Sequence, residues 1–169
     1  MPLLSDYARR QKLEFILERA RPGDAVLEIG AGTAELKTPL ESNGVKYASL
    51  DLKAPADFVG DVRDWRKLGA REGGYDLVLA LEVVEHVPCW NEIYDLLKPG
   101  GLLFATSPAP QWDWACALLE GAGLSQRRTS PHDHLIDFAR VPRFEPVELK
   151  RFGVLSQWGL FRKPAARGG

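Results

Sequence analysis

The chain has 169 residues, of which 45% are hydrophobic and 27% are charged, and its formal net charge is −1 at pH 7. This length suits one domain with a substantial core, and this composition excludes a disordered or fibrous chain. The small net charge gives no general attraction for nucleic acid. No apolar run is long enough to cross a membrane, and charges between Asp6 and Glu14 interrupt any N-terminal signal sequence. We therefore expect a cytoplasmic protein without a membrane partner and with reduced thiols at Cys89 and Cys116.

Helical and strand patterns alternate along the chain. The predicted helices cover residues 5–20, 33–43, 64–68 and 88–97. The predicted strands cover residues 25–29, 47–50, 75–81 and 102–106. Pro39 predicts a kink or a short second helix, and Lys98–Gly101 reads as a turn. The alternation predicts an open, mostly parallel α/β sheet in a single domain over residues 1–164, with a flexible tail over residues 165–169.

The most informative stretch is Val26–Ala34, where an apolar strand runs into two glycines, Gly30 and Gly32, separated by one residue. Such a turn brings bare backbone close to a ligand and directs helix N–H groups at it. A nicotinamide dinucleotide fingerprint would have a third glycine at the position of Glu35. A side chain there obstructs the close packing of helix on strand that the third glycine allows. The pattern therefore disfavours a dinucleotide site.

Two acids follow the next strand at distances that suit a nucleoside. Asp51 lies 19 residues after Gly32, where a carboxylate can accept hydrogen bonds from both hydroxyls of a ribose. Asp61 lies ten residues further on and can accept from an adenine amino group, while Val62 packs on the ring.

Together these motifs resemble the Rossmann-like S-adenosylmethionine-dependent methyltransferases. The matching stretches, in chain order over residues 25–107, are VLEIGAGTAEL, SLD, GDV, YDLVLALEVVEHV and LLKPGGLLFATSP. The resemblance implies a methyltransferase whose cofactor contacts are Glu28, Gly30, Ala31, Gly32, Asp51, Leu52, Asp61, Val62 and Leu81. It also implies a Rossmann-like sheet with helices on both faces and a C-terminal antiparallel hairpin, formed by residues 147–154 and 158–162.

An acidic and histidine-containing cluster follows the predicted central strand. Glu82, Glu85 and His86 are spaced i, i+3 and i+4, so that one helical turn would place them on a single face. His134 comes later in the chain. Two carboxylates and two imidazoles can hold an octahedral Mg²⁺ or Mn²⁺ and leave positions for substrate oxygens. The sequence therefore predicts a metal site with these four ligands.

The pattern E-x-x-E-H with a later H-D-H is similar to the metal-dependent small-RNA 3′-terminal 2′-O-methyltransferases. That resemblance implies an ion that engages the two terminal hydroxyls, with His132 as a less favoured ligand than His134. Pro142 and Pro146 depart from that family, because they leave little room for the helix that follows its second histidine. E-x-x-E-H alone also occurs in the ubiquinone-biosynthesis type of O-methyltransferase.

Three hypotheses remain open. The first is a Mg²⁺- or Mn²⁺-assisted O-methyltransferase that acts on a hydroxyl or vicinal diol of a small molecule or an RNA 3′ end, with His86, His134 and Glu85 as catalytic candidates. The second is a metal-free small-molecule methyltransferase in which His86 or His134 is the general base. The third is a non-catalytic cofactor-binding subunit of a partner complex. For each side chain of the cluster, a purely structural role as a surface charge or local cap also remains open.

Overall fold

The computed structural model describes residues 2–108, 137–152 and 156–165, with the backbone only for residues 2–6 and 152. Its helices are α1 (Pro2–Leu17), α2 (Lys37–Ser42), α3 (Trp65–Leu68) and α4 (Trp90–Leu96). Its strands are β1 (Ala25–Ile29), β2 (Lys46–Asp51), β3 (Phe58–Val59), β4 (Tyr75–Leu81), β5 (Leu97–Pro108), β6 (Glu145–Phe152) and β7 (Ser156–Arg162). Short 3₁₀ segments cover Val62–Asp64 and Phe138–Arg140.

The strands form one sheet in the order β3-β2-β1-β4-β5-β7-β6. Strands β1 to β5 pair in parallel, whereas β7 runs antiparallel to both β5 and β6. The predicted fold class is therefore confirmed, including the antiparallel pair at the C-terminal end. The connection between β6 and β7, residues 153–155, lies outside the described residues.

The sheet is covered on both faces, because alternate residues of its central strands enter two separate hydrophobic clusters. In β4, Leu77 and Leu79 pack with Phe15 and Ile16 of α1, whereas Val78 packs on the opposite face with α4. Burial on both faces explains why the central strands read as continuous apolar runs. None of the helices in the described part of the chain has the length and apolarity needed to cross a membrane.

The helix after the glycine turn begins later than the sequence predicts. Gly32 and Ala34 have φ values of 53° and 52°, in the left-handed region, so a right-handed helix cannot begin at Thr33. Helix α2 instead begins at Lys37, which places Pro39 in its first turn. The second helix is short, with six residues, which is one of the two alternatives that Pro39 predicts. A proline in the first turn removes no intrahelical hydrogen bond, because the N–H groups of that turn have no partner within the helix.

Two boundaries near β5 also differ from the prediction. Residues 98–101 belong to β5, which begins at Leu97 and continues through a register shift opposite β4. Gly100, with φ of 79°, accommodates this irregularity and also gives the segment its turn-like sequence. Helix α4 begins at Trp90, so Pro88 precedes the helix instead of occupying its first turn.

Candidate functional site

A cavity of about 360 Å³ lies at the carboxyl ends of β1, β2 and β4. Open α/β sheets bind ligands at this edge, where the strand order reverses, and the volume lies in the range of small-molecule sites. Of the residues selected from the sequence, the cavity is lined by Gly30, Asp51, Leu52, Asp61, Val62, Leu81, Glu82 and His86. Ala31, Gly32, Glu28 and Glu85 are not among its lining residues.

The glycine turn closes one wall of this cavity by direct contact with the segment after β4. Gly30 has φ of 73°, and its N–H donates to the carbonyl of Leu50 at 2.8 Å. A Cβ on Gly30 would lie 2.5 Å from Cγ2 of Val83. Glycine is thus required at this position by backbone conformation and by the close approach of Val83.

The two acids on the cavity wall are held by backbone N–H groups. Asp51 accepts from Gly32 N at 2.9 Å and from Lys53 N at 3.0 Å, one bond to each carboxylate oxygen. Asp61 caps a 3₁₀ segment by accepting from Arg63 N at 2.9 Å and pairs with the Arg63 guanidinium. The Arg63 side-chain hydrogen bond is the main influence that holds the pKa of Asp61 below its usual range. Both carboxyl groups are therefore held in fixed positions on the cavity wall.

Glu28 lies beneath the turn and not on the cavity wall. Only 6% of the residue is exposed, and its carboxyl accepts a hydrogen bond from the Tyr47 hydroxyl. Burial raises the pKa of Glu28 to about 7, and the hydrogen bond from Tyr47 only partly opposes this increase. Glu28 thus supports the base of the turn in a form that gains and loses its proton near neutral pH.

The carboxyl ends of β4 and β5 form a second group, the β4–β5 rim, which consists of Glu82, Glu85, His86 and Thr106. Glu82 has φ of 57°, and its N–H donates to the carbonyl of Thr106 at 3.0 Å. Its Oε1 accepts from the Thr106 hydroxyl at 2.7 Å and from Lys12 Nζ at 3.0 Å. The prediction that Glu82 shares a helical turn with Glu85 and His86 is therefore wrong, because a left-handed residue cannot belong to that turn.

Glu85 is buried behind Glu82. The residue is 1% exposed, and its Oε2 has no hydrogen-bond partner among the described residues. Burial, followed by the charge of Glu82, raises the pKa of Glu85 to about 8. Burial beside the Glu82 carboxylate therefore favours the neutral form of Glu85 in this arrangement.

No group of three or more His, Cys, Asp and Glu side chains suited to a metal ion occurs among residues 2–108, 137–152 and 156–165. His132 and His134 lie outside these residues, so the predicted fourth ligand is not described. At the rim itself, the Lys12 ammonium lies within hydrogen-bonding distance of Glu82, and a cation already paired with this carboxylate opposes the approach of a second one. The described part of the rim does not fit a divalent cation.

Sequence reasoning missed Lys12, Thr106 and Val83. Thr106 is the last residue of β5 that pairs with β4, at the ligand-binding edge, which is a usable signal for a polar contact. Lys12 is 70 residues from Glu82 in the chain, and nothing in the local pattern of α1 distinguishes it from a solvated lysine. In the sequence, Val83 resembles any apolar core residue. Its contact with Gly30 becomes visible only in the structure.

Comparisons with known proteins agree with this geometry. Residues 5–145 match the family model described as a methyltransferase domain. The chain is 31% identical, over 78% of its length, to the ubiquinone biosynthesis O-methyltransferase of Burkholderia pseudomallei. It spans 62% of the length of that relative.

Solved structures of low sequence identity share the fold. An S-adenosylmethionine-dependent methyltransferase from Methanosarcina mazei superposes with a TM-score of 0.62 at 14% identity, covering 90% of this chain and 98% of that one. The 1,6-didemethyltoxoflavin-N1-methyltransferase of Burkholderia thailandensis, solved with 1,6-didemethyltoxoflavin and S-adenosylhomocysteine, has a TM-score of 0.59 at 17% identity. That match covers 96% of this chain and 81% of the other.

Proposed function

Because the chain belongs to the methyltransferase domain family, we propose that it is an S-adenosylmethionine-dependent enzyme that methylates a hydroxyl oxygen of a small molecule without a metal ion, using His86 as the general base. The observation that carries this proposal is the position of His86 on the wall of the cavity that also contains Asp51 and Asp61. The O-methyltransferase name of the Burkholderia pseudomallei relative supports the choice of oxygen.

The residues of the cavity fit the cofactor. Asp51 and Asp61 lie on its wall as acceptors for ribose hydroxyls and an adenine amino group, and Leu52, Val62 and Leu81 supply apolar surface for a flat ring. When bound, S-adenosylmethionine supplies an electrophilic methyl group on sulfur. The protein then has to orient the acceptor oxygen behind that carbon, and orientation of this kind accounts for a large part of many enzymatic accelerations.

His86 suits the role of base by chemistry and by position. A neutral imidazole nitrogen can take the proton of a hydroxyl as its oxygen attacks. The backbone N–H of His86 donates to the carbonyl of Val83 at 2.9 Å, which ties the histidine to the segment that packs against the glycine turn. His86 and Val83, the residue that packs against the glycine turn, therefore lie in the same short connection after β4.

A panel of acceptors tests this proposal. Purified protein is incubated with methyl-labelled S-adenosylmethionine and either catechol, an aliphatic vicinal diol, an aromatic amine or a short RNA with a free 3′-terminal ribose, each with and without EDTA. We expect a methyl ether from a small hydroxyl acceptor and no effect of EDTA. Transfer to the amine or the RNA alone, or transfer abolished by EDTA, would contradict the proposal. Cofactor binding without transfer to any acceptor would favour a non-catalytic subunit.

A further inference from the structure

We propose that Lys12 is a positioning residue that holds the Glu82 carboxylate at the β4–β5 rim and supplies there the positive charge for which the sequence predicts a divalent cation. This inference rests on the proposed function, because it assigns the rim to the acceptor side of the reaction. Lys12 lies 70 residues before Glu82 in the sequence.

Glu82 is held at the rim by contacts with two other elements, α1 and β5. One carboxylate oxygen, Oε1, accepts from both Lys12 Nζ at 3.0 Å and the Thr106 hydroxyl at 2.7 Å. The backbone of Glu82 is in the left-handed region, which is uncommon for a residue with a side chain and persists where surrounding contacts impose it. The position of Glu82 is thus determined jointly by α1, β4 and β5.

Helix α1 is anchored in the core next to Lys12 and therefore holds the ammonium group in place. Ile16 follows Lys12 by one helical turn and is 1% exposed, and Phe15 stacks on Phe104 of β5 with ring centroids 4.6 Å apart. The Lys12 side chain itself is 21% exposed, compared with 42% for Glu82. The lysine therefore reaches the rim from an anchored part of the helix, with its aliphatic stem largely covered.

Lys12 also supplies positive charge at an otherwise acidic rim. Lys12 is the only cationic partner of Glu82 among the ion pairs of the described residues. Glu82 lies beside the buried Glu85, so that loss of Lys12 would leave an uncompensated carboxylate next to a second carboxyl group. An ammonium already in this position removes the electrostatic reason for a metal ion.

A second ion pair on α1 provides a matched control. Arg9 Nη2 lies 2.6 Å from Glu35 Oε2, but these side chains are 58% and 49% exposed and neither contributes to the rim. Exposed pairs of this kind contribute little to stability. Arg9→Met therefore removes one cation from the same helix without altering the environment of Glu82.

The experiment compares wild type, Lys12→Met, Lys12→Arg and Arg9→Met, with catechol as the acceptor and calorimetry to measure S-adenosylhomocysteine binding. We expect kcat/KM for catechol to fall about tenfold or more in Lys12→Met, in line with the loss of one partner of a charged pair. Lys12→Arg should lie closer to wild type than Lys12→Met, Arg9→Met should match wild type, and the cofactor Kd should be the same in all four proteins. Unchanged kcat/KM in Lys12→Met, an equal loss in Arg9→Met, or a weakened cofactor Kd would overturn the inference.

A measurement without acceptor separates this inference from the proposed function. Mn²⁺ binding is followed by electron paramagnetic resonance in wild type and in Glu82→Gln. We expect no bound Mn²⁺ that depends on Glu82, because Lys12 already neutralises this carboxylate. A wild-type Mn²⁺ site that disappears in Glu82→Gln would overturn the role of Lys12, even if catechol is methylated. If neither catechol nor the aliphatic diol is methylated, the proposed function fails, and a wild-type Mn²⁺ site that depends on Glu82 would still overturn the role of Lys12.

Discussion

Glu28 shows how a single buried carboxyl group can set the pH response of the fold. Its pKa is raised to about 7 by burial, whereas the unfolded chain would restore the ordinary value near 4.5. The folded state therefore binds this proton more tightly than the unfolded state. Between these two pKa values, the folded state retains the proton and the unfolded state loses it, so that stability decreases as the pH rises.

We predict that Glu28→Gln reduces this pH dependence. The glutamine side chain can still accept the Tyr47 hydroxyl hydrogen bond, but it does not ionise. Relative to the variant, wild type should lose about 3 kcal/mol of its free energy of unfolding between pH 4.5 and pH 8, with most of the loss below pH 7. Urea unfolding at a series of pH values measures this difference. The exposed Glu72→Gln is the control, and parallel curves for wild type and Glu28→Gln would refute the prediction.

Asp51 is the residue on which the cofactor assignment depends most. We predict that Asp51→Asn weakens S-adenosylhomocysteine binding about tenfold to a hundredfold, because a charged acceptor of hydrogen bonds is replaced by a neutral amide with one acceptor. Isothermal titration calorimetry provides the measurement. Asp64→Asn, an acid paired with Lys67 away from the cavity wall, should leave the Kd unchanged. An unchanged Kd in Asp51→Asn would show that the carboxyl end of β2 does not contribute to cofactor binding.

At the scale of elements, the glycine turn and the segment after β4 depend on each other. Gly30 and Gly32 both have positive φ, but only at Gly30 would a Cβ meet another residue, at 2.5 Å from Val83. Nothing lies within 4 Å of a Cβ placed on Gly32. Substitution of Gly32 therefore tests backbone strain alone, whereas substitution of Gly30 tests the same strain together with a steric contact.

We predict that Gly32→Ala decreases the free energy of unfolding by about 1 kcal/mol, from backbone strain alone. Gly30→Ala should decrease it by about 3 kcal/mol, because the contact with Val83 adds an overpacking penalty to the same strain. In Gly30→Ala combined with Val83→Ala, that penalty should be relieved, so that relative to Val83→Ala alone only the strain of about 1 kcal/mol should remain. Chemical denaturation tests the series, and equal losses at the two glycines would contradict this account.

Much of the fold was accessible from the sequence, because each central strand is an apolar run that ends in a recognisable turn or acid. The boundaries of helices and strands could not be predicted where single residues adopt positive φ. Ala34 delays α2, and Gly100 turns a segment of β5 into an apparent loop. Neither conformation follows from residue type alone, because alanine rarely adopts positive φ and glycine is compatible with both strand and turn.

For the molecule as a whole, the sheet order explains why parts distant in sequence form one site. Reversal of strand order between β1 and β4 opens the cavity, and β5 beside β4 brings Thr106 to Glu82. Asp51 and Asp61 could be predicted, because their positions follow from one local βα pattern. Lys12 could not, because its role arises only when α1 packs across the sheet. The metal prediction relied on a helical face that Glu82, with its positive φ, does not join.

The most direct test of the central claim is a single-turnover measurement of methyl transfer to catechol in excess EDTA, comparing wild type with His86→Gln. We predict that wild type forms the methyl ether at an unchanged rate in EDTA. His86→Gln should be slower by about a hundredfold to ten-thousandfold while binding S-adenosylhomocysteine normally, because only the proton acceptor is lost. Loss of wild-type transfer in EDTA, or an undiminished rate in His86→Gln, would contradict a metal-free mechanism with His86 as the base.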